Sequence, residues 1–328
     1  MNKCFKLSVT LFLVFLLGVL PLISCSESTK LKIGVIQLVE HPALDAACQG
    51  FVDALKEAGY VDGENITINI QNGQGEQSNC QTIATQFKND KMDLILAIAT
   101  PAAQAAANVI SDIPILVTAV TDPADARIVE SNEKPGGNVS GTSDLTPVRE
   151  QLELMVRLLP DVQRIAILYT SSESNSVFQA NLAKEAAADL KIDVIEATIS
   201  SSNEIQQVVL SVLDQVDAIY IPTDNTFAKA ISTVTMLTEP ARIPVIVGEE
   251  GMVSGGGLAT IGINYYKLGY QTGEMAVRIL KDGANPADMP IEYQKDLTVC
   301  INTDMASSLG ITIPDDLLEK NTYGKGND

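Results

Sequence analysis

The chain has 328 residues, of which 46% are hydrophobic and 5% aromatic, and its formal net charge is −19. Such acidity argues against a nucleic-acid or anionic-lipid partner, because phosphate contacts need clustered lysine and arginine. About 300 residues remain beyond the amino-terminal segment, which is more than one hydrophobic core usually holds, so the length predicts two lobes.

The amino terminus has the residue order of a bacterial export signal. Lys3 and Lys6 precede an apolar run over residues 7–23, and a small residue, Ser24, stands before Cys25. In a lipobox the small residue lets the peptidase approach, and the cysteine thiol accepts a diacylglyceryl group before cleavage. The segment therefore predicts a signal peptide that ends in a lipobox.

Cleavage at this motif would leave Cys25 as the lipidated first residue. The chain then divides into a signal peptide (1–24), a lipidated tether (25–30) and a globular part that starts at residue 31. Two acyl chains hold a protein at a membrane because each buried CH₂ adds about 0.8 kcal/mol. We expect an extracytoplasmic protein anchored to the cell membrane by Cys25. A retained transmembrane helix is the alternative, although about 17 apolar residues are short for a bilayer.

Apolar runs of strand length alternate with segments of helical spacing in the first part of the globular chain. This alternation predicts a parallel sheet with helices on both of its faces. The predicted elements, in chain order, are strand 31–37, helix 42–59, strand 66–70, helix 77–88, strand 94–98, helix 101–110 and strand 115–117.

A stretch rich in Gly, Ser and Thr, residues 136–147, breaks this alternation and indicates a hinge. A second series of strands and helices follows it, so the chain has two similar halves. The elements of the second series are helix 148–158, strand 165–169, helix 177–190, strand 193–197, helix 204–213, strand 218–221, helix 227–238 and strand 245–247.

Three more elements follow a run of three glycines, and we expect them to cross back into the first lobe and then into the second. They are strand 258–261, helix 266–280 and strand 297–301. The predicted fold class is therefore α/β, with two doubly wound parallel-sheet (Rossmann-like) lobes joined by a multi-strand hinge. Lobe 1 is predicted to contain residues 31–143 and 256–283, and lobe 2 residues 144–255 and 284–328.

The cysteines and the single histidine do not indicate an enzyme or a metal site. Cys48, Cys80 and Cys300 have neither C-x-x-C spacing nor a neighbouring histidine, so we expect three buried small side chains, and one disulfide between two of them stays open. His41 is the only histidine, and the sequence contains no nucleophile elbow, zinc-protease helix, dinucleotide-binding turn or phosphate-binding loop. No catalytic residue, metal or cofactor is predicted.

Ligands of open parallel sheets bind beyond the carboxyl ends of the strands, where helix N-termini converge. At one such end, Thr100 is a good N-cap and Pro101 suits the first helical position. The N–H groups of Ala102 and Ala103 would then lie free for a carboxylate. An ordinary capped helix start is the alternative.

A second strand end would face the same cleft from the other lobe. Asp224 there either holds an ammonium group or caps the next helix, and Asn225 can both donate and accept. The leading hypothesis is a clamp that takes an amino acid's carboxylate at Thr100 and its ammonium near Asp224. Alternative anionic partners are Glu40, Asp122, Glu249 and Glu250, and His41 is expected to have a structural role in a turn.

Six segments together resemble a known family. They are I-G-V-I-Q-L-V-E-H-P-A-L-D-A (33–46), A-I-A-T-P-A-A-Q-A (97–105), A-V-T-D-P (119–123), P-G-G-N-V-S-G-T-S-D (135–144), V-D-A-I-Y-I-P-T-D-N-T (216–226) and G-E-E-G-M-V (248–253). In this order they resemble the ABC transporter substrate-binding family that includes tryptophan-type, aromatic amino-acid-binding members. The resemblance covers nearly all of the chain after the tether.

The resemblance implies a type I periplasmic-binding fold, no catalysis, and an aromatic amino acid (Trp, Phe or Tyr) bound between the lobes. It also implies an ABC permease with its ATPase subunit as partners, and we expect a monomer. The ligand contacts expected from the resemblance, together with Ala103 from the helix-start argument, are Gln37, Glu40, Thr100, Ala102, Ala103, Thr121, Asp122, Ser143, Asp144, Asn175, Asp224 and Asn225.

Three other functions fit parts of the sequence. An extracellular sensory module would bind the same ligand but feed a receptor. A sugar or nucleoside could replace the amino acid as the transported solute. The effector domain of a transcription regulator would share the fold, but it conflicts with the export signal and the missing helix-turn-helix.

Overall fold

Two six-stranded sheets are built from the apolar runs of the sequence. The computed structural model describes residues 30–324, so the predicted signal peptide and Cys25 lie outside the described residues. Central strands such as β1 (Leu31–Gln37) and β3 (Leu94–Ile98) are buried almost throughout, since helices cover both faces of each sheet. No helix within residues 30–324 has both the length and the apolar character needed to cross a membrane.

The first half of the chain supplies eight regular elements before it leaves the first sheet. They are β1, α1 (Pro42–Glu57), β2 (Ile66–Asn72), α2 (Gln77–Asn89), β3, α3 (Thr100–Val109), β4 (Ile115–Val120) and β5 (Val139–Ser143).

The second half supplies the remaining helices and strands. They are α4 (Val148–Leu158), β6 (Arg164–Thr170), α5 (Ser174–Asp189), β7 (Asp193–Ile199), α6 (Ile205–Val212), β8 (Ala218–Ile221), α7 (Asn225–Lys229), α8 (Ile231–Thr238), β9 (Val245–Val247), α9 (Glu250–Ser254), β10 (Ala259–Gly262), α10 (Tyr265–Asp282), β11 (Glu292–Tyr293), β12 (Thr298–Ile301), α11 (Thr303–Leu309) and α12 (Asp315–Lys320).

The strand order gives each lobe its own parallel sheet. The first sheet has the order β11-β5-β4-β3-β1-β2, and every pair in it is parallel. The second sheet has the order β12-β10-β9-β8-β6-β7, in which only β12 is antiparallel to its neighbour. This arrangement confirms the predicted α/β fold class with two doubly wound lobes.

The strand β5 was not predicted, because its sequence V-S-G-T-S has no apolar run. All five of its residues are buried, and hydrogen bonds satisfy the hydroxyl groups on both sides: the Ser140 hydroxyl donates to the Met289 carbonyl at 2.7 Å, and Thr142 Oγ1 lies 3.1 Å from Thr118 Oγ1. Gly141 has a φ of +146°, and a Cβ there would lie 2.1 Å from the Val117 carbonyl oxygen. The glycine- and serine-rich stretch is therefore partly a sheet strand and only partly a hinge.

The chain passes between the two sheets three times. The crossings are residues 144–147, 263–264 and 294–297. The predicted lobe boundaries differ from this arrangement in two places. Strand β10 belongs to the second sheet, although residues 256–283 were assigned to lobe 1, and β11 belongs to the first sheet, although residues 284–328 were assigned to lobe 2. Helix α10 is the element that returns to the first lobe, where it packs against α1.

Three glycines let α10 approach α1 at backbone distance. A Cβ on Gly269 would lie 1.8 Å from the Ala47 carbonyl oxygen, and one on Gly50 would lie 2.0 Å from the Tyr266 carbonyl oxygen. Gly273 is similarly close to Ala54. The two helices are therefore in direct backbone contact, which fixes α10 to the first lobe. This holds although the preceding strand, β10, belongs to the second sheet.

The substitution Gly269→Ala is expected to destabilise the protein strongly. The added methyl group meets a backbone oxygen that cannot turn away, so the two helices must separate, at a cost of at least about 1–3 kcal/mol. Thermal unfolding followed by circular dichroism measures the loss. Gly137→Ala is the matched control, because a Cβ there meets nothing within 4 Å. Equal melting temperatures for the two variants would contradict the close helix contact.

The three cysteines within the described residues are free and buried. Burial raises the pKa of Cys48 and of Cys80 to about 11. They behave as small apolar side chains, as expected, and no disulfide joins any two of them.

Candidate functional site

The carboxyl ends of both sheets meet around a small cavity between the lobes. Its lining residues are His41, Leu44, Ala119, Thr121, Asp144 and Tyr265 from the first lobe and Asn175, Thr223, Asp224, Asn225, Ala228 and Glu249 from the second. The cavity has a volume of about 20 Å³, enough for a single water molecule, which needs roughly 10–15 Å³. We call this space the central cavity.

Side-chain hydrogen bonds hold the two lobes together beside the central cavity. His41 Nε2 lies 3.3 Å from Asn225 Oδ1, and Gln179 Nε2 donates to Thr121 Oγ1 at 3.0 Å. Gln104 Nε2 reaches Ser174 Oγ at 3.3 Å. The lobes are thus in direct contact across the cleft.

Five of the twelve predicted contacts line the central cavity: Thr121, Asp144, Asn175, Asp224 and Asn225. The other seven lie elsewhere. Gln37 and Glu40 line a separate depression on the first lobe, where Gln37 Nε2 donates to Asp45 Oδ1 at 2.6 Å.

The remaining predicted contacts belong to the surrounding framework. The Asp122 carboxylate accepts the N–H groups of Ala124 and Asp125 and so closes its own loop. The Ser143 hydroxyl donates to the Thr121 carbonyl at 2.6 Å. Thr100, Ala102 and Ala103 are buried at the start of α3 and do not line the cavity.

Thr100 is not the N-cap that the sequence suggested. Helix α3 begins at Thr100 itself, and its N-cap is Ala99, with a φ of 81° and a ψ of 150°. This backbone region is almost restricted to glycine and costs an alanine of order 1–3 kcal/mol. The Thr100 hydroxyl is buried and has no hydrogen-bond partner. The strained residue thus places a helix N-terminus and an unpaired hydroxyl together at the end of β3.

Asp224 is a helix cap, which was one of its two predicted roles. Its Oδ1 accepts from the Phe227 N–H at 2.9 Å and from the Thr170 hydroxyl at 2.9 Å, and its Oδ2 accepts from the Thr170 N–H at 2.6 Å. Burial, followed by the charge of Glu173, raises the pKa of Asp224 to about 7. Because protein donors already bind both of its oxygens, Asp224 is poorly placed to hold a ligand's ammonium.

Three residues of the cavity lining were not among the predicted contacts: Tyr265 was not singled out, Glu249 was only an alternative anionic partner, and His41 was expected to have a structural role. Glu249 lines the cavity and caps α9 through the N–H groups of Gly251 and Met252, whereas Glu250 instead accepts from the Thr298 hydroxyl at 2.7 Å. Tyr265 is the first residue of α10. The sequence could have indicated Tyr265, because this residue lies between a strand and a helix, as several of the predicted contacts do.

Four buried side-chain atoms in residues 30–324 have no hydrogen-bond partner: His41 Nδ1, Thr100 Oγ1, Asp144 Oδ1 and Asn175 Oδ1. All of these residues except Thr100 line the central cavity. Asp144 and Asn175 offer acceptors there. Asn225 donates through Nδ2 to Glu173 Oε2 at 2.6 Å, which turns its oxygen toward His41. His41 Nε2 therefore carries the proton, and Nδ1 is a third acceptor. Buried polar atoms are normally paired, so the site is shaped for a hydrogen-bond donor.

The central cavity is also acidic. Burial raises the pKa of Asp144 to about 6 and that of Glu249 to about 7, while burial lowers the pKa of His41 and keeps it neutral. No lysine or arginine is among the buried residues of the described chain. A cationic group is therefore the natural complement of this site. No cluster of three or more candidate metal ligands occurs among residues 30–324.

Comparison with known proteins identifies the relatives of this fold and site. The family model described as ABC transporter substrate binding protein matches residues 32–324. A protein of Clostridioides difficile described as tyrosine-binding is 43% identical over 319 residues, which are 93% of this chain and 92% of that protein.

Two solved structures are similar over the same extent. The ABC domain from Streptococcus pneumonia in complex with L-Trp is 40% identical, with a TM-score of 0.87, and the match covers 90% of this chain and 99% of that one. The ligand-free, open structure of a substrate binding protein with adhesive properties from Clostridium difficile is 47% identical, with a TM-score of 0.69 and the same coverage. The architecture is that of type I periplasmic binding proteins.

Proposed function

Since the chain belongs to the ABC transporter substrate-binding family, we propose that it captures an amino acid with an aromatic side chain between its lobes and delivers it to an ABC permease. Substrate-binding proteins of ABC importers are extracytoplasmic, and this one would act beside the membrane. The observation that carries the proposal is the set of three unpaired acceptors, on His41, Asp144 and Asn175, in an acidic cavity between the lobes.

The α-ammonium of an amino acid is the donor that these acceptors require. An ammonium group has three N–H donors and a positive charge. Asp144 is its principal partner in this proposal, because Oδ1 is the one carboxylate oxygen among the described residues that is buried without a partner. This replaces the earlier hypothesis that Asp224 holds the ammonium, since Asp224 is already bound by three protein donors.

The ligand's carboxylate would bind at the start of α3. The unpaired Thr100 hydroxyl and the first N–H groups of the helix are donors there, and the helix dipole adds about 0.3–1 kcal/mol for an anion. A groove of about 350 Å³ between the lobes contains Pro101 of this helix and shares Asn225 with the central cavity. The space for a whole amino acid would thus extend from the central cavity into this groove.

The two solved relatives support a clamp that opens and closes. The present structure superposes better on the tryptophan complex than on the open, ligand-free chain, although the latter is more similar in sequence. The hydrogen bonds between the lobes also favour a closed arrangement. We infer that the lobes separate to admit the ligand and that contacts from both lobes favour closure once it is bound.

The Cys25 lipobox would tether the protein close to the permease. Its segment lies outside the described residues, so this part of the proposal rests on the sequence alone. Mass spectrometry of the amino-terminal peptide from membrane fractions should give a diacylglyceryl cysteine at position 25.

Identification of the bound solute tests the proposed function directly. Protein purified without added solutes is denatured, and the released molecules are identified by mass spectrometry. We expect tyrosine or tryptophan, and calorimetry should show that both bind more tightly than leucine. The chain has no tryptophan of its own, so indole emission in a titration comes only from the ligand. Release of a sugar or nucleoside, with no heat on adding aromatic amino acids, would overturn the proposal.

A further inference from the structure

Two side-chain hydrogen-bond pairs join the three chain crossings between the sheets. Asp144 is the first residue of the first crossing, and the Tyr265 hydroxyl, just after the second, donates to its Oδ2 at 2.8 Å. At the third crossing, Gln294 Nε2 donates to the Asn264 carbonyl at 2.7 Å, and Gln294 Oε1 accepts from the Asn264 N–H at 3.0 Å. The Asp144 carboxylate therefore belongs both to the cavity and to the hinge.

The Asp144 carboxylate divides its two oxygens between two tasks. Oδ2 is occupied by the Tyr265 hydroxyl, and Oδ1 is buried without a partner at the central cavity. Burial also raises the pKa of Tyr265 well above its usual range, so its hydroxyl stays protonated and can only donate to the carboxylate. Helix α10 fixes the tyrosine in turn, since it lies in backbone contact with α1.

Burial opposes the ionisation of Asp144, and no lysine or arginine lines the cavity to favour it. Glu249 and Asp224 line the same cavity, Glu173 lies beside Asp224, and His41 is neutral. The carboxylate is thus stabilised by neutral donors only. The hydroxyl of Tyr265 is the strongest of them, whereas the Thr121 hydroxyl lies close enough to lower the pKa of Asp144 but makes no well-formed hydrogen bond to it.

We propose that Tyr265 is a positioning residue for ligand binding: its hydroxyl keeps Asp144 ionised and turns the free carboxylate oxygen toward the ligand's ammonium. The inference rests on the proposed amino-acid site. A charge-assisted hydrogen bond of this kind favours the ionised carboxylate. Loss of the hydroxyl would raise the pKa of Asp144, and the ammonium would then meet a neutral carboxyl group at a pH where the wild type presents a charge.

Calorimetric titration of the whole mature chain with L-tyrosine between pH 5 and pH 8.5 tests the proposal. For the wild type we expect a constant affinity at high pH and a decrease of about tenfold per pH unit below about pH 6. For Tyr265→Phe the midpoint of this decrease should move up by about one pH unit. The variant should lose about fivefold in affinity at pH 6, close to tenfold at about pH 5, and less than about threefold at pH 8.5.

Two variants separate this role from a general structural one. Tyr266→Phe removes the neighbouring hydroxyl, which donates to Asp53 at 3.1 Å, and should leave the midpoint unchanged. In Asp144→Asn, the further change Tyr265→Phe should cost no more affinity. Asp144 carboxyl carbon shifts, followed by NMR in the ligand-free wild type and in Tyr265→Phe, give the same pKa difference without a ligand.

The outcomes also separate this inference from the proposed function. An affinity that falls equally at every pH in Tyr265→Phe, or an unchanged pKa of Asp144, would overturn the positioning role alone. A wild type that binds neither tyrosine nor tryptophan at any pH would overturn the proposed function and this inference with it.

Discussion

Replacement of Asp144 by asparagine is expected to weaken the binding of L-tyrosine by about 10- to 100-fold at pH 8. Asparagine has the same size and keeps an oxygen for the Tyr265 hydroxyl, but it removes the charge that would face the ammonium. Hydrogen bonds to charged groups contribute about 1.5–3 kcal/mol, which corresponds to that range of affinity. Calorimetry at pH 8 measures the loss, because there the wild-type carboxyl, with a pKa of about 6, is ionised.

Two matched substitutions show whether the effect belongs to this carboxylate. Asp122→Asn changes an acid that was predicted as a contact but closes its own loop, so its affinity should stay within about twofold of the wild type. Asp224→Asn weakens the cap of α7 and should lower the melting temperature more than the affinity. An Asp144→Asn protein that binds as tightly as Asp122→Asn would remove Asp144 from the ligand site.

The fold was predictable because both periodicities of the sequence are strong. Continuous apolar runs such as L-I-L-A-I become the buried strands of parallel sheets, and the helices between them end at the predicted residues to within a few positions. The strand β5 escaped prediction because small hydroxyl side chains fill it, and they are buried only by virtue of partners such as Met289 and Thr118. Those partners are far apart in sequence, so no local pattern reveals them.

The site was predictable only to the level of strand ends. The rule that ligands bind beyond the carboxyl ends of parallel strands selects Thr121, Asp144 and Asn225, and all three line the central cavity. It does not give the direction of each side chain, so Gln37 was included although it turns to Asp45. Tyr265 follows the chain's second crossing between the sheets. The predicted boundary of lobe 1 placed this crossing before strand β10, whereas in the structure it lies between β10 and α10.

The sequence also could not show which of two acids, Asp144 or Asp224, caps a helix and which keeps a free carboxylate oxygen. Asp144 and Asp224 both follow strands, and their sequence contexts do not distinguish them. The structure does, because Asp224 starts a short helix and caps it, whereas Asp144 follows β5 into a crossing where no helix N–H group meets its Oδ1. Capping consumes the acceptors of an acid at a helix start. A ligand-binding acid is more readily found at a strand end that leads into a hinge.

The ligand-free protein is expected to be more stable at pH 5.5 than at pH 8, by about 2–4 kcal/mol. Burial raises the pKa of Asp144 to about 6 and those of Asp224 and Glu249 to about 7, from ordinary values of 3.8 to 4.5. The folded chain therefore binds more protons than the unfolded chain at intermediate pH. The stability conferred by these groups is present at low pH and is lost as the pH rises through about 6–7.

Thermal unfolding in the two buffers checks the direction of this effect. His41 opposes it in part, because its lowered pKa means that the folded state resists protonation below pH 6.5. Glu249→Gln and Asp144→Asn should each flatten the dependence, since an amide does not titrate, while Asp122→Asn should leave it unchanged. A melting temperature that rises from pH 5.5 to pH 8 would show that these carboxyls are ionised without cost.

The affinity for an amino acid is expected to change in the opposite sense, because the ammonium needs the charge that destabilises the ligand-free chain. Stability and binding would then have opposed pH profiles, since both depend on the same buried carboxyl groups at the end of β5 and across the cleft from it.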